Sequence, residues 1–241
     1  MIRTALTALT VFFMTVICGT FSILFGVFNP YSNIIFFLAQ MWARSILFVS
    51  GTKLDVYGLE NIDVHKNFVF IANHQSHFDV IAVFSVLPLT VRFLAKKELF
   101  RIPLFGWAIA AVGMIRIDRS NREKALQSMD KAQAIIKKGV SVVIFPEGTR
   151  SLDGKVQDFK KGAFVIAIKG NLPIVPVSIS GSRFILKKHT ARIRPGVIKI
   201  VIDKPVATKG YTYNDREQLA ENIKQIIIKN IDDEINERTM E

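Results

Sequence analysis

The chain has 241 residues, of which 50% are hydrophobic, and its 32 Lys and Arg residues against 20 Asp and Glu residues give a formal charge of +12. So much apolar side-chain surface excludes an intrinsically disordered chain, and the single cysteine, Cys18, excludes an internally disulfide-bonded protein. The charge is unevenly distributed, because residues 4–43 contain no Asp, Glu, Lys, Arg or His. Composition therefore predicts an N-terminal membrane-associated segment, residues 1–51, followed by one basic globular domain, residues 52–241.

The N-terminal segment contains two apolar runs. Residues 5–28 would form a helix of about 36 Å, long enough for the roughly 30 Å hydrocarbon core of a bilayer. Asn29-Pro30 ends that helix, because proline lacks an N–H donor and disfavours the α conformation of the preceding residue. The second run, residues 34–49, carries Gln40 and Arg44 and is more amphipathic. We predict a helical hairpin that enters the membrane and returns; the alternatives are a single span with an interfacial helix, and a hairpin buried in a soluble protein.

After residue 51, short apolar runs alternate with helical periodicity, which is typical of an α/β fold. We expect a mostly parallel central sheet flanked by helices. Strands are predicted at residues 53–57, 67–72, 91–95, 114–117, 141–145, 174–179 and 197–202. Helices are predicted over residues 158–169 and 214–237. A further helix begins at the capping-box pattern Ser120-x-x-Glu123 and ends at Gly139.

The first polar motif, Asn73-His74-Gln75-Ser76-His77-Phe78-Asp79, directly follows a predicted strand. Open α/β sheets bind their ligands at this end of a strand. With His74 on the loop and Asp79 in the next helical turn, Asp79 would accept a hydrogen bond from one imidazole nitrogen and leave the other as a general base. Two other interpretations remain open. Ser76 and Asp79 fit a capping box, and His74, His77 and Asp79 have a spacing that metal ligands can have, although no further cluster completes such a site.

A second polar motif, Phe145-Pro146-Glu147-Gly148-Thr149-Arg150-Ser151, also follows a predicted strand. Gly148 permits a tight turn, and the side chains after it offer hydrogen-bond donors to an oxyanion such as phosphate. Basic residues follow two more predicted strands, at Lys96-Lys97 and at Arg119. Together with Arg150 they are expected to surround a doubly charged anion.

Four stretches in this order and spacing resemble the glycerolphosphate acyltransferase superfamily, and specifically the 1-acylglycerol-3-phosphate acyltransferases. The first motif of these enzymes contains a His-x4-Asp pair, and bacterial members have a similar N-terminal membrane hairpin. The matching stretches are NHQSHFD at residues 73–79, GMIRIDR at 113–119, FPEGTRS at 145–151 and IVPV at 174–177.

The resemblance implies that His74 deprotonates the acceptor hydroxyl and that Asp79 orients and supports the imidazolium. The acceptor oxygen then attacks the acyl thioester directly. Residues of the second and third motifs and the lysine pair would bind the acceptor phosphate: Arg150, Glu147, Gly148, Thr149, Arg119, Lys97 and Lys96. No metal and no bound cofactor are expected, because the acyl chain arrives on coenzyme A or acyl carrier protein as a co-substrate.

The resemblance further implies transfer of a fatty acyl chain to the 2-hydroxyl of lysophosphatidic acid, giving phosphatidic acid, on the cytoplasmic face of the cell membrane. Anionic phospholipids are expected to hold the basic domain at the bilayer. The alternatives are acylation of another lysophospholipid or of glycerol 3-phosphate, and a basic membrane protein that binds anionic lipid without catalysis. Nucleic acid is not an expected partner despite a pI near 9.9, because the sequence contains no recognition module.

Overall fold

The computed structural model describes residues 1–30, 32–118, 122–136 and 139–231. Its helices are α1 (Ile2–Phe28), α2 (Asn33–Ser50), α3 (Phe78–Val86), α4 (Phe105–Ala111), α5 (Arg122–Ile136), α6 (Gly162–Gly170), α7 (Ser182–Ile185) and α8 (Arg216–Lys229). Its strands are β1 (Thr52–Tyr57), β2 (Val69–Ala72), β3 (Val91–Lys96), β4 (Ile115–Ile117), β5 (Ser141–Ile144), β6 (Ile174–Ser180) and β7 (Gly196–Ile202). Every predicted strand is confirmed, with ends that differ by at most two residues.

One sheet contains the strands in the order β1-β7-β6-β2-β5-β3-β4. Neighbouring strands are parallel except for β6 and β7, which are antiparallel. Parallel strands need crossover connections, and here helices supply most of them. The predicted α/β fold with a mostly parallel sheet flanked by helices is therefore confirmed.

The central strands are buried on both faces, as expected for a parallel sheet between helical layers. Side chains along β2 alternate between the two layers because successive residues of a strand point to opposite faces. Phe70 lies in the core that includes α2 and α3. Its neighbours Val69 and Ile71 lie in the core that includes α5, α6 and α8. The sheet thus separates two hydrophobic cores and fixes the direction in which its loops emerge.

The two helices of the hairpin differ in their surroundings. α2 packs into the core through Phe36, Ala43, Ile46 and Leu47. α1 instead exposes much of its apolar surface, including Leu6, Leu9, Phe12, Phe13, Ile17, Phe21, Leu24 and Phe25. Both helices are long and apolar enough to cross a membrane, and the exposed face of α1 is compatible with membrane association. Burial in the core therefore accounts for one face of α2 but not for α1, and the domain division at residue 51 remains a prediction.

The predicted helix over residues 158–169 is wrong at its start, because α6 begins at Gly162. The amide of Lys160 donates to the carbonyl oxygen of Pro146 at 3.0 Å. The amide of Gln157 donates to Oε2 of Glu147 at 3.2 Å. These main-chain groups therefore bind the loop after β5 instead of starting a helix.

Two other predicted helices include residues that lie outside the described ranges. α8 begins at Arg216, after a capping box formed by Thr212 and Asp215 that the sequence analysis did not identify. The predicted end of this helix at residue 237 is wrong, because α8 ends at Lys229 and the described residues 230 and 231 are not helical. Ser120 of the other predicted capping box lies outside the described residues.

Candidate active site

The candidate active site lies at the edge of the sheet where β2, β5, β3 and β4 end. Because β2 and β5 are parallel neighbours, residues 73–79 and residues 145–151 leave the sheet side by side. We call these two segments the histidine loop and the arginine loop. β3 and β4 end at the same edge, where Lys96 pairs with Ile117. Both polar motifs therefore lie at one edge of the sheet.

The histidine loop brings His74 and Asp79 into direct contact. Nδ1 of His74 lies 2.7 Å from Oδ2 of Asp79, so the predicted hydrogen bond is present. The Asp79 side chain is fully buried, whereas the His74 side chain keeps 15% of its surface exposed. An ionised carboxylate only accepts hydrogen bonds, so Nδ1 carries the proton and Nε2 holds the lone pair. Nε2 is therefore the nitrogen that can take a proton from a substrate.

Asp79 also holds the shape of its own loop. Its Oδ2 accepts hydrogen bonds from the amides of Gln75 at 2.6 Å and Ser76 at 2.8 Å. The capping interpretation is half right, because the amide of Ser76 reaches Asp79 while the amide of Asp79 donates to the carbonyl oxygen of Ser76. Asp79, in the first turn of α3, thus holds the preceding loop and contacts the imidazole at the same time.

The arginine loop fixes the position of His74. The amide of His74 donates to Oε1 of Glu147 at 2.7 Å, and its carbonyl oxygen accepts from the amide of Ser151 at 2.7 Å. The imidazole stacks on the ring of Phe145, with 4.3 Å between centroids and 21° between planes. Phe145 in turn stacks on Phe93 at 5.9 Å. Backbone and ring of the histidine are therefore both held by neighbouring strands.

Glu147 makes contacts that differ from its expected role. The resemblance placed it among the phosphate ligands, but its two carboxylate oxygens accept the amides of His74 and Gln157. Burial raises the pKa of Glu147 to about 7, and these two hydrogen bonds oppose the rise. A carboxylate would also repel a phosphate. The structure thus gives Glu147 a contact that positions His74.

The end of the arginine loop presents polar groups to solvent. Gly148 adopts a φ of +73°, a conformation that favours glycine. Thr149 after it is exposed, and Arg150 is half-buried. Burial lowers the pKa of the Arg150 guanidinium while the charge of Asp79 opposes the shift, so Arg150 lies within electrostatic reach of that carboxylate. Arg150 therefore lies near the Asp79 carboxylate and the His74 that it contacts.

The two candidate lysines differ. Nζ of Lys97 lies 2.9 Å from Oδ1 of Asp118, and both side chains are largely buried. Nζ of Lys96 lies 3.7 Å from Oε2 of Glu98, and the Lys96 side chain is 65% exposed. Lys97 is thus held near the second motif, whereas Lys96 points to solvent. Arg119 lies outside the described residues.

The arrangement can be compared with known proteins. The model of a family described as Acyltransferase matches residues 53–180. The chain belongs to this acyltransferase family. All the described site residues just named lie within the matched range.

Relatives of this chain include several proteins named 1-acyl-sn-glycerol-3-phosphate acyltransferase. A chloroplastic one from Brassica napus is 37% identical over 70% of this chain and 49% of its own length. The alpha enzyme of Homo sapiens is 32% identical over 79% of this chain and 68% of its own length. The chain spans about half the length of the first of these curated relatives.

Its fold is similar to a solved structure along the whole chain. The crystal structure of the 1-acyl-sn-glycerophosphate (LPA) acyltransferase PlsC from Thermotoga maritima superposes with a TM-score of 0.79 at 28% identity. The match covers 100% of this chain and 98% of that chain. The N-terminal helices are therefore included in the similarity.

Sequence reasoning missed one cation of this site. Nζ of Lys188 donates to Oγ1 of Thr149 at 3.1 Å and to the carbonyl oxygen of Arg150 at 2.8 Å. Nearby, Oγ of Ser76 donates to the carbonyl oxygen of Leu186 at 2.8 Å. The segment after β6 thus contacts both loops. Its basic composition was the available signal, but the segment carries no motif that predicts these contacts.

The metal interpretation finds no support in this geometry. Among the described residues, no group of three or more His, Cys, Asp or Glu side chains is arranged to hold a metal ion. Oδ2 of Asp79 instead contacts Nδ1 of His74 and the amides of Gln75 and Ser76.

Proposed function

We propose that the protein transfers a fatty acyl chain from acyl-coenzyme A or acyl carrier protein to the sn-2 hydroxyl of 1-acyl-glycerol 3-phosphate, giving phosphatidic acid. The observation that carries this proposal is the 2.7 Å contact between His74 and the buried Asp79, directly beside the arginine loop. The names of the relatives support the same acceptor.

His74 acts as the general base. Its Nε2 takes the proton of the acceptor hydroxyl while Nδ1–H donates to Asp79. The imidazolium that forms is stabilised by the negative charge of the buried carboxylate. Stacking on Phe145 and the two main-chain bonds of His74 hold the ring in one orientation, so little reorganisation is needed.

The deprotonated oxygen then attacks the carbonyl carbon of the thioester. A new C–O bond forms, the tetrahedral intermediate collapses, and the C–S bond breaks. The leaving thiolate receives the proton that His74 holds, which returns the imidazole to its neutral form. No serine nucleophile is needed, and the sequence contains no Gly-x-Ser-x-Gly elbow.

The arginine loop binds the phosphate of the acceptor. The guanidinium of Arg150 can donate two parallel hydrogen bonds to a phosphate. The exposed hydroxyl of Thr149 and the turn at Gly148 lie beside it. Lys97 contributes positive charge from the end of β3. Arg119 keeps the role that the resemblance gives it.

An apolar cavity near the site supports an acyl substrate. It has a volume of about 110 Å³ and lies among α1, α2, α3 and α4. Phe84 in its wall packs on Phe93 at 4.6 Å, and Phe93 packs on Phe145, which carries the His74 ring. A continuous set of aromatic rings therefore leads from the cavity to the base. We assign to this cavity part of one acyl chain.

The hairpin places the reaction at the bilayer, where acceptor and product reside. The exposed apolar face of α1 meets the acyl region, and the basic domain lies against anionic headgroups on the cytoplasmic side. Fixing the domain at the surface replaces a three-dimensional search for the acceptor with a lateral one.

A panel of acceptors tests the proposal. Purified protein in vesicles is given acyl-coenzyme A or acyl carrier protein thioester, and release of the free thiol is followed with 1-acyl-glycerol 3-phosphate, lysophosphatidylcholine or glycerol 3-phosphate. We expect release that depends on 1-acyl-glycerol 3-phosphate. Faster thiol release with another acceptor would replace 1-acyl-glycerol 3-phosphate as the proposed substrate. If none of the acceptors supports thiol release, the protein binds lipid without catalysis.

A further inference from the structure

A second group of cations lies on the segment after β6, against the end of the arginine loop. β6 and β5 flank β2 on opposite sides, so the segment after β6 approaches the histidine loop from the side opposite β3 and β4. This segment begins with α7. Between residues 159 and 202 the chain has no Asp or Glu. Its basic residues after β6 and before β7 are Arg183, Lys187, Lys188, Arg192 and Arg194.

Three of these cations line one cavity. The cavity has a volume of about 180 Å³, and no acidic side chain is among the described residues that line it. Its lining consists of Ser151, Leu152, Arg183, Phe184, Lys187 and Lys188. The nearest carboxylate in the loop, Asp153, accepts hydrogen bonds from Oγ of Ser151 at 2.9 Å and from the amide of Lys155 at 3.0 Å. The cavity is therefore a polar, positively charged space.

Two of the three cations of this cavity are held in place, and the third, Lys187, is exposed at its wall. The guanidinium of Arg183 packs over the ring of Phe184 at 4.5 Å and donates to the carbonyl oxygen of Asp153. In the part of the chain that the structure describes, Nε of Arg183 is buried without a hydrogen-bond partner. Lys188 is fixed by its bonds to Thr149 and Arg150. Such a set of fixed donors is suited to a phosphate.

We infer that the cavity at Arg183, Lys187 and Lys188 binds the phosphate of the acyl donor. The inference rests on the proposed function, in which two phosphorylated substrates meet at His74. Coenzyme A and acyl carrier protein both attach the acyl chain through a pantetheine arm that ends in a phosphate. Arg150 and Lys97 serve the acceptor, and the cavity, which begins at Ser151 directly after Arg150, serves the donor.

The remaining cations of the segment have different surroundings. The amide of Ile193 donates to Oγ1 of Thr4 at 3.0 Å, which places residues 192–194 at the start of α1. Arg192 is exposed there and does not line the cavity. It carries the same charge on the same segment and therefore provides a matched control for Lys187, which is also exposed.

Binding tests the inference without turnover. We expect 4′-phosphopantetheine to bind the wild-type protein more tightly than pantetheine, measured by calorimetry. Lys187→Gln should weaken 4′-phosphopantetheine about 3- to 10-fold while leaving pantetheine unchanged, and Arg192→Gln should change neither. Lys188→Gln provides a second variant at the same cavity. Equal losses for both ligands, or equal losses in Lys187→Gln and Arg192→Gln, would overturn the inference.

Kinetics separates this site from that of the acceptor and from the membrane. Lys187→Gln should raise KM for acyl-coenzyme A and for the acyl carrier protein thioester, but not for acyl-pantetheine or 1-acyl-glycerol 3-phosphate. A higher KM for the acceptor, or weaker binding to phosphatidylglycerol vesicles in place of a donor effect, would overturn it. If wild-type protein releases no thiol, the proposed function fails, whereas the calorimetric result still decides whether the cavity binds the phosphate.

Discussion

The histidine loop and the arginine loop leave neighbouring strands at the same edge, but they present their polar groups in opposite ways. In the histidine loop, Asp79 is fully buried and Oδ2 receives hydrogen bonds from the His74 ring and two amides. In the arginine loop, Thr149 is exposed and Arg150 is half-buried. A fixed, buried carboxylate suits proton transfer, whereas an accessible cation suits the capture of an anion. The difference predicts that one loop controls kcat and the other KM.

Glu147 is the exception that links the loops. It belongs to the arginine loop, but its buried carboxylate contacts the backbone of His74. Substitution of Glu147 should therefore affect kcat, as substitutions in the histidine loop do.

Asp79→Asn gives the largest effect among the supporting residues. Asparagine keeps an oxygen for the amides of Gln75 and Ser76 but loses the charge that stabilises the imidazolium. We expect kcat to fall about 100- to 10,000-fold with little change in KM, measured by thiol release. An unfolding midpoint close to that of wild type would serve as the folding control. Unchanged kcat would reduce Asp79 to its role at the start of α3.

Arg150→Ala should act on binding. Loss of a charge-assisted pair with phosphate raises KM for 1-acyl-glycerol 3-phosphate about 10- to 100-fold. The matched control is 1-acylglycerol, which lacks the phosphate and should show no such penalty. An unchanged KM for the phosphorylated acceptor would remove Arg150 from this role, and Arg150→Lys tests how much depends on the planar guanidinium.

Glu147→Gln should change how stability depends on pH. Burial raises the pKa of Glu147 from 4.5 to about 7, so the folded state holds the proton more tightly than the unfolded state. Wild type therefore loses stability as pH rises through about 7, by about 3 kcal/mol at most. The variant has no such group but lacks one acceptor for the amides of His74 and Gln157. The difference in free energy of unfolding between wild type and Glu147→Gln should become smaller from pH 5 to pH 8, measured by denaturant unfolding. A difference that is the same at every pH would contradict this.

The smallest effect is expected for Lys96→Ala. Its side chain is mostly exposed and its contact with Glu98 is long, so such a surface pair contributes little. KM for the acceptor should change about twofold or less. Lys97→Ala, which removes the contact with Asp118, is the matched comparison and should have the larger effect. Equal changes in KM for the two variants would show that the position of Lys97 near the second motif does not contribute to acceptor binding.

Sequence patterns predicted those structural features that depend on residues close together in the chain. The apolar runs predicted every described strand. The spacing of His74 and Asp79 predicted their contact, because both residues lie close to the start of α3. Contacts between distant segments were not predictable in this way. Lys188 reaches Thr149 across 39 residues without any motif. The predicted start of α6 was wrong because the amides of Gln157 and Lys160 bind the loop after β5, and helical periodicity carries no information about such contacts.

The two hairpin helices illustrate the same limit. Both are apolar, although the second is more amphipathic, and both are predicted to form one membrane hairpin. Only the packing of the whole chain shows that α2 contributes to the core while α1 keeps its apolar face exposed.

Comparison of wild type with His74→Ala tests the central claim most directly. Purified proteins in vesicles containing 1-acyl-glycerol 3-phosphate are given the thioester, and both free thiol and phosphatidic acid are measured. The wild type should form both in equal amounts, and the variant should lose at least about 100-fold in rate while still binding the vesicles. Retention of near wild-type turnover by the variant would contradict the role of His74 as the base.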